Sequence, residues 1–158
     1  MRKLFFFTLL LVGPVIMAQT KTYKGAWFDI NYPSNFLAIG SLKSTTSDGF
    51  DSAIFKSPDN LVEFYIFSPQ WNGEATDILL NTKEKLSSSK SQINGYEETK
   101  WWTITSSNGS YSRSYQQKFN EFQNTKWIIG IKYKNSSALE KYKKKYALFK
   151  SSLKQYAD

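Results

Sequence analysis

The sequence predicts an α+β fold, an antiparallel β-sheet of about six to seven strands sandwiched by helices. Three observations predict it. Short runs of alternating apolar and polar residues are separated by turn chemistry along the chain. Asn108-Gly109 lies between two such runs, the strongest short-range hairpin signal a sequence carries. The chain closes on apolar residues spaced three and four apart, the period of an amphipathic helix.

Gln19 to Gly25 reads as a polar leader. Ala26 to Tyr32 alternates as a strand and stops at Tyr32-Pro33-Ser34-Asn35, where Pro lacks a donor and Ser and Asn favour turns. Phe36 to Ile39 predicts a short second strand, and Ser41 to Gly49 a loop. Ser52 to Lys56 and Leu61 to Phe67 flank Ser57-Pro58-Asp59-Asn60, which predicts a hairpin. Its second run is apolar on both faces apart from Glu63, as in a strand covered on both sides. Ala75 to about Ser89 reads as a helix with Ile78, Leu79, Thr82 and Leu86 on one stripe.

Around Asn108-Gly109 a type I′ turn would pair Ile104 with Arg113 and Trp102 with Tyr115. One face then holds Trp102, Ile104, Tyr111, Arg113 and Tyr115. The other is a hydroxyl ladder of Thr103, Thr105, Ser112 and Ser114 beside Trp101. Lys126 to Lys134 is a further strand, with Trp127, Ile129, Ile131 and Tyr133 on one side. Ser137-Ala138-Leu139-Glu140 is a capping box that opens the last helix, whose stripe runs from Leu139 to Tyr156.

Among 158 residues there is no Cys and no His. That excludes a disulfide, a thiolate nucleophile, a Ser-His-Asp triad and a His metal ligand. Arg2, Lys3, the apolar run Leu4 to Met17 and Ala18 have the layout of a secretory signal peptide over residues 1–18. The run is shorter than the roughly 20 residues a membrane span needs, and Pro14 interrupts it. A single domain over residues 19–158 is expected, exported and soluble, periplasmic or extracellular. Without residues 1–18 the 21 Lys and Arg fall to 19 against 13 acids, a balance of +6. Such a charge suits anionic surfaces. With Arg113 as the one remaining arginine, a nucleic-acid reader is not expected.

The segment Phe28-Asp29-Ile30-Asn31-Tyr32-Pro33-Ser34-Asn35-Phe36 resembles the first strand and Tyr-Pro turn of the PsbP-like family, the extrinsic photosystem II subunit and its bacterial relatives. Phe55 to Pro58, the strand at Val62 to Phe67 and the closing helix support the resemblance. The position of Phe36 often carries Trp in such proteins. The resemblance implies a sheet between helices and a non-enzymatic accessory or binding role. It carries over no metal site, because the photosystem protein's ligands include His, and it implies no photosynthetic role.

Candidate chemistry is sparse. Two Ser-x-x-Lys patterns, at Ser87 and Ser151, match what chance gives a chain so rich in Ser and Lys, and no partner motif accompanies them. Glu63 interrupts an apolar strand and is either a functional acid or a partner of a lysine. Glu97-Glu98 point to opposite faces of a strand and make a poor catalytic pair. Asp48, Asp51 and Asp59 lack calcium-loop spacing. Arg113 either stacks on Trp102 or Tyr115 or clamps an anion, or it forms a structural ion pair with a nearby acid. Trp71, in a loop with Gly73, and Trp101 are candidate sugar platforms. Lys141, Lys143, Lys144 and Lys145 are candidate contacts for an anionic partner or a solvated helix face. The expected function is a non-catalytic accessory protein that docks a partner protein of the envelope. The alternative is a module for anionic or glycan material using the lysine-rich helix and exposed aromatics. No cofactor or metal is expected.

Overall fold

A computed structural model describes residues 19–156, so the expected signal peptide lies outside the described residues. The strands are β1 (Thr20–Lys24), β2 (Phe28–Pro33), β3 (Leu37–Gly40), β4 (Ser52–Lys56), β5 (Val62–Phe67), β6 (Glu84–Asn94), β7 (Glu97–Ser106), β8 (Ser112–Asn120), β9 (Thr125–Tyr133) and β10 (Lys154–Gln155). Among the described residues there is one α-helix, α1 (Ser136–Ser151), and one 3-10 turn, Thr76–Ile78. Seven strands form an antiparallel sheet in the order β3-β4-β5-β9-β8-β7-β6, and β1-β2-β10 form a small second sheet.

The fold is mostly β, so the expected sandwich between helices is corrected. One face of the large sheet is covered by α1 and the small sheet. Phe28, Ile30, Phe55, Phe64, Ile129, Ile131 and the helical Tyr142 and Phe149 are buried there. Trp127 and Tyr133 pack against the same cluster, as the alternation of β9 predicts. The other face carries a second core of Tyr65, Phe67, Ile104, Tyr115 and Ile128, covered by the irregular segment between β5 and β6. Gly130 sits on that face because Tyr115 occupies its side-chain space: a Cβ there would stand 2.3 Å from the ring.

The helix expected over 75–89 is a 3-10 turn followed by a strand. β6 pairs with β7 from Glu84↔Ser106 to Asn94↔Glu97, and solvent bathes every β6 residue except Glu84. A strand wet on both faces has no apolar alternation to announce it. Ile78, Leu79 and Leu86, with Lys83 and Lys85 between them, imitate a helix, although Ser87-Ser88-Ser89 compete with helical backbone bonding. Its hairpin turns at Gly95, whose φ of 59° fits the first central position of a type II′ turn.

The Asn108-Gly109 hairpin has the expected register, Ile104↔Arg113 and Trp102↔Tyr115. Its turn is not type I′, which needs positive φ at both central residues. Gly109 has φ 69° and Asn108 does not, and Gly109 N–H donates to Ser106 O at 2.9 Å, closing a type I turn. The polar leader is β1, the outer strand beside β2. The last helix is capped by Asn135, whose Oδ1 accepts from Ala138 N–H at 2.9 Å, rather than by the box at Ser137. It ends at Ser151, and Lys154-Gln155 turn back to pair with β2.

Candidate functional site

Two features stand out on this frame, a buried polar knot and an exposed tip. The knot lies on the second core. Arg113 on β8 faces Glu84 at the start of β6, with side-chain exposures of only 9% and 2%. Its five N–H groups make five bonds. Nε and Nη2 donate to the two Glu84 oxygens at 2.8 and 2.6 Å. Nη1 donates to Ile78 O at 2.8 Å and Tyr115 OH at 3.0 Å, and Nη2 to Leu79 O at 2.9 Å. Tyr111 OH and Asn81 N–H complete the shell of Glu84. Burial alone would raise the Glu84 carboxyl. The hydrogen bonds from Arg113, Asn81 and Tyr111 outweigh it and leave it below its ordinary value.

A second pair lies beside the knot. Ser52 Oγ and Tyr65 OH each donate to Asp77 at 2.7 Å, and burial followed by Asp77 pushes the Tyr65 phenol far up. A cleft of about 230 Å³ opens between these groups and Lys132. Every polar group just named in the knot is held by another. Arg113 is therefore the structural ion pair of the two readings offered by the sequence. It pins the segment before β6 to the sheet, with no N–H left to clamp an outside anion.

The exposed feature is the wing formed by β6, β7 and β8. The helix packs on β2, β5 and β9 and leaves the wing bare. The face on the helix side carries the expected hydroxyl ladder. Thr103 pairs with Ser114 at 2.9 Å, and Ser87, Thr105 and Ser112 form a chain with steps of 2.6 and 3.2 Å. Trp101 lies on this face, its ring 4.7 Å from the Lys90 ammonium. At the far end the β6–β7 and β8–β9 hairpins are tied together. Glu121 N–H donates to Tyr96 O at 2.9 Å, and the Tyr96 and Phe122 rings lie 5.7 Å apart. Ile93, Tyr96 and Phe122 are 73%, 66% and 79% exposed. The sequence reading passed over these three residues. The pair Asn94-Gly95 is the signal that would have found their hairpin.

The other candidates are dispersed. Glu63 meets Lys132 at 3.7 Å, the paired reading of that residue. Glu97 and Glu98 pair with Lys118 and Lys100. Lys141 donates to Asp59 at 2.9 Å, Lys143 faces Glu140 at 3.3 Å, Lys145 lies 5.5 Å from the Tyr142 ring, and Lys144 is exposed. The Ser57 hydroxyl, with Lys141 and Tyr142, holds the Asp59 carboxyl well below the usual range. Trp71 is 40% exposed in a cleft with Asp51, Gln70 and Asn72. Asp59 precedes β5 and Trp71 follows it, so the lysine cluster and Trp71 are separated by about 20 Å of strand. The structure does not gather Trp71, Trp101, Arg113 and the lysines into one site. Among the described residues no cluster of acids fits a metal ion, and no helix is long and apolar enough to cross a membrane.

No family model and no curated protein matches this chain. Among solved structures it is similar to the solution structure of cyanobacterial PsbP (CyanoP) from Synechocystis sp. PCC 6803, at 10% identity and a TM-score of 0.49, over 91% of this chain and 96% of that one. The PsbP-like family is the one that the Phe28 to Phe36 segment resembles.

Proposed function

We propose that the chain is an exported, non-catalytic accessory protein that docks a partner protein of the cell envelope through the tip of its wing. The observation that carries this reading is the cluster of Ile93, Tyr96 and Phe122 on two hairpin ends tied to each other. Large apolar side chains this exposed, and gathered in one place, mark interaction surfaces. Aromatic anchors supply most of the affinity of protein interfaces. The tie between the hairpins holds the rings before the partner arrives, which lowers the ordering cost of binding. Support for a non-catalytic role comes from the knot, whose carboxylate and guanidinium are occupied with each other. The glycan or polyanion reading draws on Trp71 and Lys141 to Lys145 together, and these lie at opposite ends of β5.

The test is a photo-reactive amino acid placed at position 122 in cells producing the full chain, with position 144 on the helix as control. The expected result is one adduct of defined mass from position 122, absent from position 144. Tyr96→Ala should weaken the purified complex by at least about tenfold. Adducts only with lipid or polysaccharide, or equal labelling from both positions, would sink the proposal.

A further inference from the structure

A second unassigned surface lies on the opposite side of the wing from the hydroxyl ladder. A groove of about 330 Å³ runs between the Glu74 to Leu80 segment and the β6–β8 sheet. Its floor is Ile104 and Ile128, both buried, with Trp102 stacked on Tyr115 at 5.2 Å. Its walls are Leu79, Leu80 and Leu86, which are 58%, 54% and 55% exposed. Arg113 holds the carbonyls of Ile78 and Leu79, so the wall stands open in the free protein. At one end lies Lys126, half-buried, donating to Gly73 O at 2.7 Å. An ammonium has three N–H donors, so two remain for a ligand. Lys100, whose charge acts on Lys126, is paired with Glu98 at 3.1 Å. Glu74 shares the rim, and among the described residues it forms no ion pair with Lys126.

We infer that this groove binds a single-chain anionic amphiphile, with the alkyl chain along Leu79, Leu80 and Leu86 and the anionic head on Lys126. Apolar walls with one polar group at the end match that ligand class. The volume is near the lower limit of small-molecule sites, roughly 300 to 1,000 Å³, which suits one chain rather than two. The floor strands β7 and β9 are paired on both sides, so the floor offers side chains and no free backbone groups to a ligand. The inference is independent of docking at the tip.

Calorimetric titration of the full chain with monomeric dodecanoate tests it, with octanoate and neutral glycerol monododecanoate as comparisons. One-to-one saturable binding is expected, weakened by at least about tenfold when four methylenes are removed. Leu80→Asp, at an exposed position outside both buried cores, should reduce binding of both twelve-carbon ligands by at least about tenfold. Lys126→Met should weaken dodecanoate by about fivefold and leave the neutral ligand unchanged. Phe122→Ala should bind dodecanoate as the wild type does. Absence of saturable heat, or Leu80→Asp binding unchanged, would overturn the groove. Equal weakening of both heads by Lys126→Met would overturn the assignment of Lys126.

Discussion

Arg113→Met tests whether the knot holds the second face together. The substitution keeps much of the apolar stem and removes all five hydrogen bonds. Glu84 then stays in a site where its side chain is 2% exposed, with only Tyr111 OH and Asn81 N–H as partners. Removing one member of a buried ion pair costs about 3–5 kcal/mol, because the remaining charge has neither water nor a counterion. With a urea dependence of about 2 kcal/mol per molar, the unfolding midpoint falls by about 1.5–2.5 M. The double variant Arg113→Met/Glu84→Met leaves no stranded charge and should recover to within about 1 kcal/mol of the wild type. Urea titrations followed by far-ultraviolet circular dichroism measure both. If Arg113→Met lies within about 1 kcal/mol of the wild type, or the double variant is as weak as the single, the knot is not the clamp described here.

Three further outcomes follow, one from the same knot and two from other sites. Glu84 has a folded pKa below its unfolded value, so its contribution is complete above about pH 4.3 and disappears as pH falls through the folded value. Acid titrations of stability should therefore be flatter for the double variant than for the wild type. Gly130→Ala drives a methyl into the Tyr115 ring and should cost about 1–3 kcal/mol, read as a lower thermal midpoint. Asn135→Ala removes the cap on Ala138 N–H and should cost about 1 kcal/mol in the same melt.

The parts of the fold that were legible are those where one side of a strand is dry. Ile129 and Ile131 alternate because the helix covers them, and the ladder of Thr103 and Ser114 alternates because Ile104 and Tyr115 are buried behind it. Glu84 to Asn94 has solvent on both sides, so burial imposed no pattern there. β1 was missed for the same reason, being the exposed outer strand of the small sheet. The ion pair of Arg113 could be anticipated but its partner could not, because a helix over 75–89 leaves Glu84 off its apolar stripe. The tip was illegible from composition, since an aromatic in a sequence does not say whether it fills a core or stands in solvent.

The placement of the wing has a consequence for how the protein can change. β5 and β9 are neighbours in the sheet, with Phe67 opposite Ile128, and the whole of β6, β7 and β8 is the chain's excursion between them. Closing that excursion is an entropic cost borne once by the Phe67–Ile128 pairing, and it grows only logarithmically, by about 0.6 kcal/mol for each doubling of length. The knot at Glu84 and Arg113 anchors the root, leaving the reach beyond Trp101 free of the main core. Residues added or removed in register near Gly95 and Glu121 would therefore lengthen or shorten the arm with little effect on the pairing beneath it.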